Sequence, residues 1–417
     1  MIVGKGLENG FLADAEIKQI CVEGLGRLEL KGKRVLVIVP DHTRQAPVGK
    51  FFRIFHDLLA AKVSKLDCLI ALGTHPPLEE AKTLELFDLT PQEKQQKFSN
   101  VGFYNHRWDL PETLRQIGTI TAAEVDRISE GKLHEDVNVA LNKMIFDYDH
   151  LIVFGTVMPN VVGGFGGGNK YFFPGICGPE FINLTHWLAA LITNLRVNGV
   201  KDNPVRKFID RAARFISVPR TSVSIVLHQH QIAGLYVGEP EEVFDPAAEL
   251  SSKLHIVYLD RPYKKILAVA LKVFDDLWTG GKAMYKVEAI AADGAEVIIY
   301  APHIRDVSYT HGKYLEKHGY HVMDYVLSHQ EQLKEVPRGV QAHMTHVKGQ
   351  GLYLNGVEKP RIKVTLATGI PEEVCQQINL EYKNPAEINI DDWKDKQHQD
   401  ILLVEEAGEI LYRLKNP

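Results

Sequence analysis

Short runs of β-branched residues alternate along the chain with longer stretches whose apolar positions recur every three or four residues. That alternation marks an α/β protein. Arg34–Pro40 (RVLVIVP) reads as a buried strand. A helix follows over 48–61, with Phe51, Phe52, Phe55, Leu58 and Leu59 on one face. Residues 66–72 and 150–156 read as further strands, and 222–227 with 232–237 as a hairpin. Beyond about residue 262 the alternation restarts, with strands expected at 266–270, 296–300, 362–366 and 401–404 and a helix over 281–292. Asp-Arg-Pro within 260–264 interrupts the pattern. The expected architecture is α/β: two domains, 1–262 and 263–417, with mainly parallel sheets and an interdomain cleft. Return of the final residues to the first domain is left open.

Composition narrows the function classes. The 417 residues are 45% hydrophobic and 24% charged with a net charge of −5, which excludes a disordered chain and shows no basic footprint for nucleic acid. Cys21, Cys68, Cys177 and Cys375 have neither the spacing of a metal pair nor that of a disulfide framework, so a reducing compartment is expected. No run approaches the ~20 apolar residues of a membrane span. The N-terminal segment has no apolar h-region, so the expectation is a cytoplasmic protein without membrane contact. The 18 histidines are numerous, and many are expected at the surface.

In open parallel sheets, ligands sit outside the carboxyl ends of strands. Three expected strands end in chemistry-bearing residues: Asp41-His42-Thr43-Arg44, Gly73-Thr74-His75-Pro76-Pro77, and the run from Gly155 through Asn160 into the glycine loop. Each has a bland explanation. Asp41 can cap a helix, Arg44 can be a surface charge, and a lone His75 in a turn is usually a satisfied turn residue. Their coincidence on one sheet edge is what draws notice. The glycine loop is more specific. Five glycines lie within positions 163–168, interrupted by Phe165 and followed by Asn169 and Lys170. Such a loop brings backbone N–H groups close to a bulky anion. It fits neither a Walker A loop nor the GxGxxG fingerprint, because Asn169 stands where each pattern needs another residue. His186 (NLTHW) is placed near the start of a helix. His228 and His230 are read as flanking a hairpin rather than holding a metal. Lys282, in WTGGKAM, is read either as a substrate-site cation or as a solvated helix-start lysine.

With DHTR, LGTHPP, GGFGGGNKYFFPGICG, NLTHW and WTGGKAM in place, the chain resembles the nickel-dependent lactate racemase family and its 2-hydroxyacid racemase and epimerase homologues. The resemblance implies that 1–262 is a cofactor-binding domain. It implies a nickel-pincer nucleotide, the nickel complex of pyridinium-3,5-bisthiocarboxylic acid mononucleotide, joined covalently to Lys170. Thr74, Gly166, Gly167, Gly168 and Asn169 would line the cofactor, and His186 would be the protein ligand to Ni. His75 would be an acid/base histidine, Asp41 and Arg44 would lie near cofactor and substrate, and Lys282 would face the substrate. The implied reaction inverts C2 of a small 2-hydroxy acid by reversible hydride transfer through a 2-keto acid, with a neutral imidazole of pKa near ~6.5 exchanging the hydroxyl proton. Separate enzymes would mature the cofactor, and homo-oligomerisation is left open.

Two departures stand out. Asn160 occupies the position of the family's second catalytic histidine, and Trp278-Thr279 stand where the family has Tyr-Gln. Simple lactate is therefore not the expected substrate; a polyhydroxylated sugar acid, to which an amide at 160 can hydrogen-bond, is one candidate. Two rivals remain: a nicotinamide-dependent 2-hydroxyacid oxidoreductase, which the failed GxGxxG counts against, and a non-catalytic carrier of the cofactor.

Overall fold

The structure is a computed structural model, and it describes residues 2–416. It is α/β with mainly parallel sheets, and its contacts divide the chain into two compact units. The first comprises 1–158, 165–182 and 201–254; the second comprises 159–164, 183–200 and 255–417. No described helix is long and apolar enough to cross a membrane.

The first unit is built on a seven-stranded sheet in the order Val3–Gly6, Gln231–Gly238, Arg220–His228, His150–Thr156, Arg34–Pro40, Lys65–Ala71, Phe103–Asn105. The last five strands run parallel; the two leading ones are antiparallel to their neighbours. Val37 sits in register between Cys68 and Ile152. Val35 to Val39 are buried on both faces, as expected of a central parallel strand. Phe51, Phe52 and Phe55 of the Val48–Leu59 helix enter this core: Phe51 stacks on Phe154 at 4.4 Å, and Phe52 meets Phe87, Phe98 and Phe103 edge-on. Each such side chain contributes about 1.5–3 kcal/mol by leaving water. The hairpin turns through Gln229 and His230, both at positive φ, the geometry that lets a two-residue turn follow the twist of its strands. The His-Gln-His run is therefore a hairpin turn.

The second unit carries a parallel five-stranded sheet in the order Glu381–Tyr382, Lys363–Thr368, Ala291–Ala301, Tyr263–Ala270, Ile401–Ala407. Leu411–Leu414 pairs with Ile256–Leu259 beside it. The helix expected over 281–292 is not formed. One turn, Lys282–Tyr285, gives way to a 3-10 turn at Glu288–Ile290 and then to the strand. Buried Glu288 accepts from Asn194 Nδ2 at 2.8 Å and Gln350 N at 2.9 Å, and these fixed partners end the helix. The Val-Ile-Ile-Tyr run then continues as strand, a tertiary choice over local propensity.

Six of the 18 histidines are buried: His106, His150, His255, His311, His343 and His346. Burial lowers the pKa of His106 and His150 to about 4 and of His343 and His346 to about 3. The unfolded chain binds these protons near pH ~6.5 and the folded chain does not. Stability is thus full above about pH 6.5 and lost as pH falls toward the folded values, at about 1.4 kcal/mol per pH unit per histidine. Urea midpoints at pH 7, 6 and 5 should fall accordingly. His150→Gln, which keeps a polar partner for Thr221, should flatten the slope by about one proton.

Candidate active site

The strands His150–Thr156, Arg34–Pro40 and Lys65–Ala71 are parallel neighbours, so their carboxyl ends share one edge. Asp41 follows the middle strand and is 2% exposed. One carboxylate oxygen accepts from Thr43 N at 3.1 Å and Thr43 Oγ1 at 2.6 Å, capping the His42–Arg44 turn. The other accepts a short hydrogen bond from His75 Nδ1. The cap and the histidine partner are therefore the same residue. Burial alone would raise the Asp41 pKa. The charge and hydrogen bond of His75, with Arg44 and Thr43, outweigh burial and hold the carboxyl well below its usual range. His75 stands on a turn made by Gly73 at φ +57°, tied by His75 N to Leu72 O at 2.9 Å and by Gly73 N to Gly175 O at 2.9 Å. Thr74 lies half-buried in that turn.

The glycine loop closes onto the same edge. Gly167 and Gly168 have φ of +86° and +57°, and Lys170, half-buried, follows in the Gly168–Tyr171 turn with its N–H on Gly167 O at 3.2 Å. Gly166 stands between, bonded by its own N–H to Met158 O at 2.7 Å. Tyr171 runs back to the strand, where its hydroxyl accepts from Thr156 N at 3.0 Å, within the fields of Arg44 and Asp41. Gly155 makes room for it: a Cβ there would stand 2.0 Å from the Tyr171 hydroxyl. Sequence reading missed Tyr171; its signal was a glycine inside the β-branched run HLIVFGT. Asn169 faces elsewhere, its Nδ2 donating to Asp210 Oδ1 at 2.9 Å and Glu241 Oε1 at 2.8 Å.

Gly167→Ala combines a disfavoured φ with a Cβ 2.4 Å from Val157 Cγ2. The expected cost is about 1–3 kcal/mol, measured by urea unfolding, with the loss concentrated in the loop.

The remaining expected residues belong to the second unit. Asn160 Oδ1 accepts from Val162 N at 3.0 Å and Gly163 N at 3.2 Å, forming the turn that leads into the glycines and leaving Nδ2 as its donor. His186 lies in the middle of the Pro179–Ile192 helix, not near its start, because the proline at 179 sets the first turn. His343 and His346 feel its charge. His343 Nε2 bonds Trp278 O at 2.9 Å and its ring stacks on Trp278 at 4.0 Å, which ties WTGGK to the Arg338–Lys348 helix. His311 also packs against the indole, 4.5 Å between ring centres. Lys282 Nζ lies 4.6 Å from the Phe274 ring centre. The i, i+3 histidines of QAHMTHV were the available, unread signal for this cluster. Among the described residues no group of three or more His, Cys, Asp or Glu could hold a metal ion.

The sequence pattern described as the lactate racemase N-terminal domain matches residues 17–198, the span that holds Asp41, His75, Lys170 and His186. A lactate racemase of Thermoanaerobacterium thermosaccharolyticum is 26% identical over 277 residues, 64% of this chain. Residues 17–198 of the chain thus carry the lactate racemase N-terminal domain. The aligned region spans 60% of that enzyme's length. A structural-genomics protein of Thermotoga maritima superposes with a TM-score of 0.88 at 30% identity, covering 98% of this chain and all of the other. The T. thermosaccharolyticum lactate racemase apoprotein superposes at 0.70 and 17% identity, over 95% of this chain and 92% of the other, so the two share a fold well beyond the matched N-terminal domain.

Proposed function

We propose that this chain is a racemase or epimerase acting at C2 of a 2-hydroxy acid, with a nickel-pincer nucleotide attached at Lys170 and His186 as its protein ligand to nickel. The observation that carries the reading is the Asp41–His75 pair beside Arg44, on the sheet edge that receives the lysine of the glycine loop. The residues fit the group. Gly73 leaves backbone open where a side chain would stand, the nearest atom to a Cβ there being Pro174 O at 3.8 Å. One imidazole suits a metal whose other donors come from an organic pincer. Four unpaired cysteines fit a reducing, cytoplasmic setting.

When bound, the nickel–pyridinium group supplies a hydride acceptor; the chain's residues do the rest. Arg44 can hold the substrate carboxylate through two parallel N–H donors, and Lys282 offers a point charge. Asp41 fixes His75 through Nδ1, which leaves Nε2 to take the hydroxyl proton as C2 becomes planar. The ionised carboxylate then stabilises the imidazolium. If the planar 2-keto acid turns before hydrogen is restored at C2 and the proton at its oxygen, the opposite C2 configuration results. One histidine then serves both faces, and Asn160 Nδ2 is left to bind a further substrate hydroxyl, which favours a polyhydroxylated acid over lactate.

Protein produced alongside the cofactor-maturation enzymes, given a panel of C2-deuterated aldonic and simple 2-hydroxy acids, tests this. Inversion with the deuterium kept at C2 and a primary isotope effect is expected, strongest on an aldonic acid. No inversion of any acid by protein fully modified at Lys170 would make it a carrier. Turnover requiring NADH would make it an oxidoreductase.

A further inference from the structure

We propose that Arg206 is a positioning residue for Lys170: with Asn169 it fixes the glycine loop in the shape that presents the lysine for attachment. The inference rests on the reading of Lys170 above. Arg206 lies on the Pro204–Ala213 helix and is 5% exposed. Burying a guanidinium costs several kcal/mol unless its donors are used. Here two of them serve the loop, while Nε is buried without a partner. Nη2 donates to Phe165 O and Nη1 reaches Gly167 O at 3.5 Å, the two carbonyls that flank Gly166. The planar face lies over the Phe244 ring, 4.0 Å from its centre.

One helical turn later, Asp210 accepts from Asn169 Nδ2 at 2.9 Å, and Glu241 of the Pro240–His255 helix accepts from the same nitrogen at 2.8 Å. Glu241 is in turn held by Arg220 at 3.0 Å. Positions 165, 167 and 169 are thus each pinned by a side chain from one helix face, and Lys170 is the next residue. Its own N–H closes on Gly167 O, the carbonyl that Arg206 also engages. Two consecutive left-handed glycines have a wide choice of conformations, and these pins narrow the directions open to the lysine. The network lines a cavity of about 230 Å³, which leaves room for a smaller or differently shaped side chain at 206.

The test compares wild type, Arg206→Met, Arg206→Lys and the cavity-lining control Lys207→Met, each produced with the maturation enzymes. Two readouts are taken per folded molecule: the fraction of the Lys170 peptide carrying the added mass, and backbone hydrogen exchange of 163–171 in cofactor-free protein. Arg206→Met should lower attachment at least tenfold and speed exchange in the loop at least tenfold, with Arg34–Pro40 unchanged. Arg206→Lys, which can serve one carbonyl but not both, should recover attachment partly, and Lys207→Met should match wild type. Wild-type attachment in folded Arg206→Met overturns the proposal, including when its melting temperature has dropped, since that marks a merely structural role. If Arg206→Met does not fold, Arg206→Lys decides: attachment equal to wild type overturns it. A wild-type Lys170 without added mass sinks the cofactor reading instead, and loop exchange then still decides whether Arg206 holds the loop.

Discussion

Lys170→Ala should abolish both the added mass on the peptide containing residue 170 and the interconversion of 2-hydroxy acid stereoisomers, while the protein stays folded. Backbone bonds hold the loop around this side chain. Lys170 N to Gly167 O and Gly175 N to Lys170 O are backbone bonds that alanine keeps, and the left-handed glycines precede it. Circular dichroism and the urea midpoint should therefore stay near wild type. The catalytic loss should be large because a tethered reactant replaces a diffusing one, an advantage on the order of 10⁵-fold or more in effective molarity. Lys170→Arg separates charge from attachment: it keeps the cation but lacks the amine, and should fail equally. Retained interconversion in Lys170→Ala would show that the lysine only lines the site.

The second large effect concerns the Asp41–His75 pair. His75→Gln should lower kcat by about 10²–10⁴-fold, the range for removing a general acid–base group, with little change in Lys170 attachment. Asp41→Asn tests the same chemistry one step back. It keeps the cap to Thr43 through its remaining oxygen but replaces the anion that fixes His75 Nδ1. The expected result is a kcat loss approaching that of His75→Gln, since the imidazole adopts the wrong tautomer and its charged form loses a partner. The acid side of the pH dependence should change as well. In wild type the low pKa of Asp41 contributes stability that is present above its unfolded value of ~3.9 and lost as pH falls through the lower folded value. Asp41→Asn should remove that acid-limb contribution. Unchanged kcat in both variants would move proton transfer to another group.

Much of this was legible along the chain because the signals are local. RVLVIVP and HLIVFGT are continuous apolar runs that can be satisfied only as buried parallel strands, and both form where expected. The phenylalanine spacing over Val48–Leu59 fixed that helix's inner face. The helix expected after Lys282 failed because its reading used local propensity alone, whereas the partners of Glu288 come from residues 194 and 350. Tyr171 went unread for a similar reason. Its role depends on Gly155, sixteen residues earlier, being bare.

The sequence by itself determined the residue types: strand ends bearing Asp41 and His75, a glycine loop shaped for close backbone approach, and one lysine placed directly after it. Tertiary structure alone decided their pairing. Strand order makes 150–156, 34–40 and 65–71 neighbours, which sets the Asp41 carboxylate on His75. Packing brings the Pro204–Ala213 helix against the loop, turning Arg206 into the donor for its carbonyls. Spacing along a chain carries local propensity and periodicity. A hydrogen bond between residues 34 or 41 positions apart depends on how the sheet and helices stack, and that is settled only when the whole core is buried.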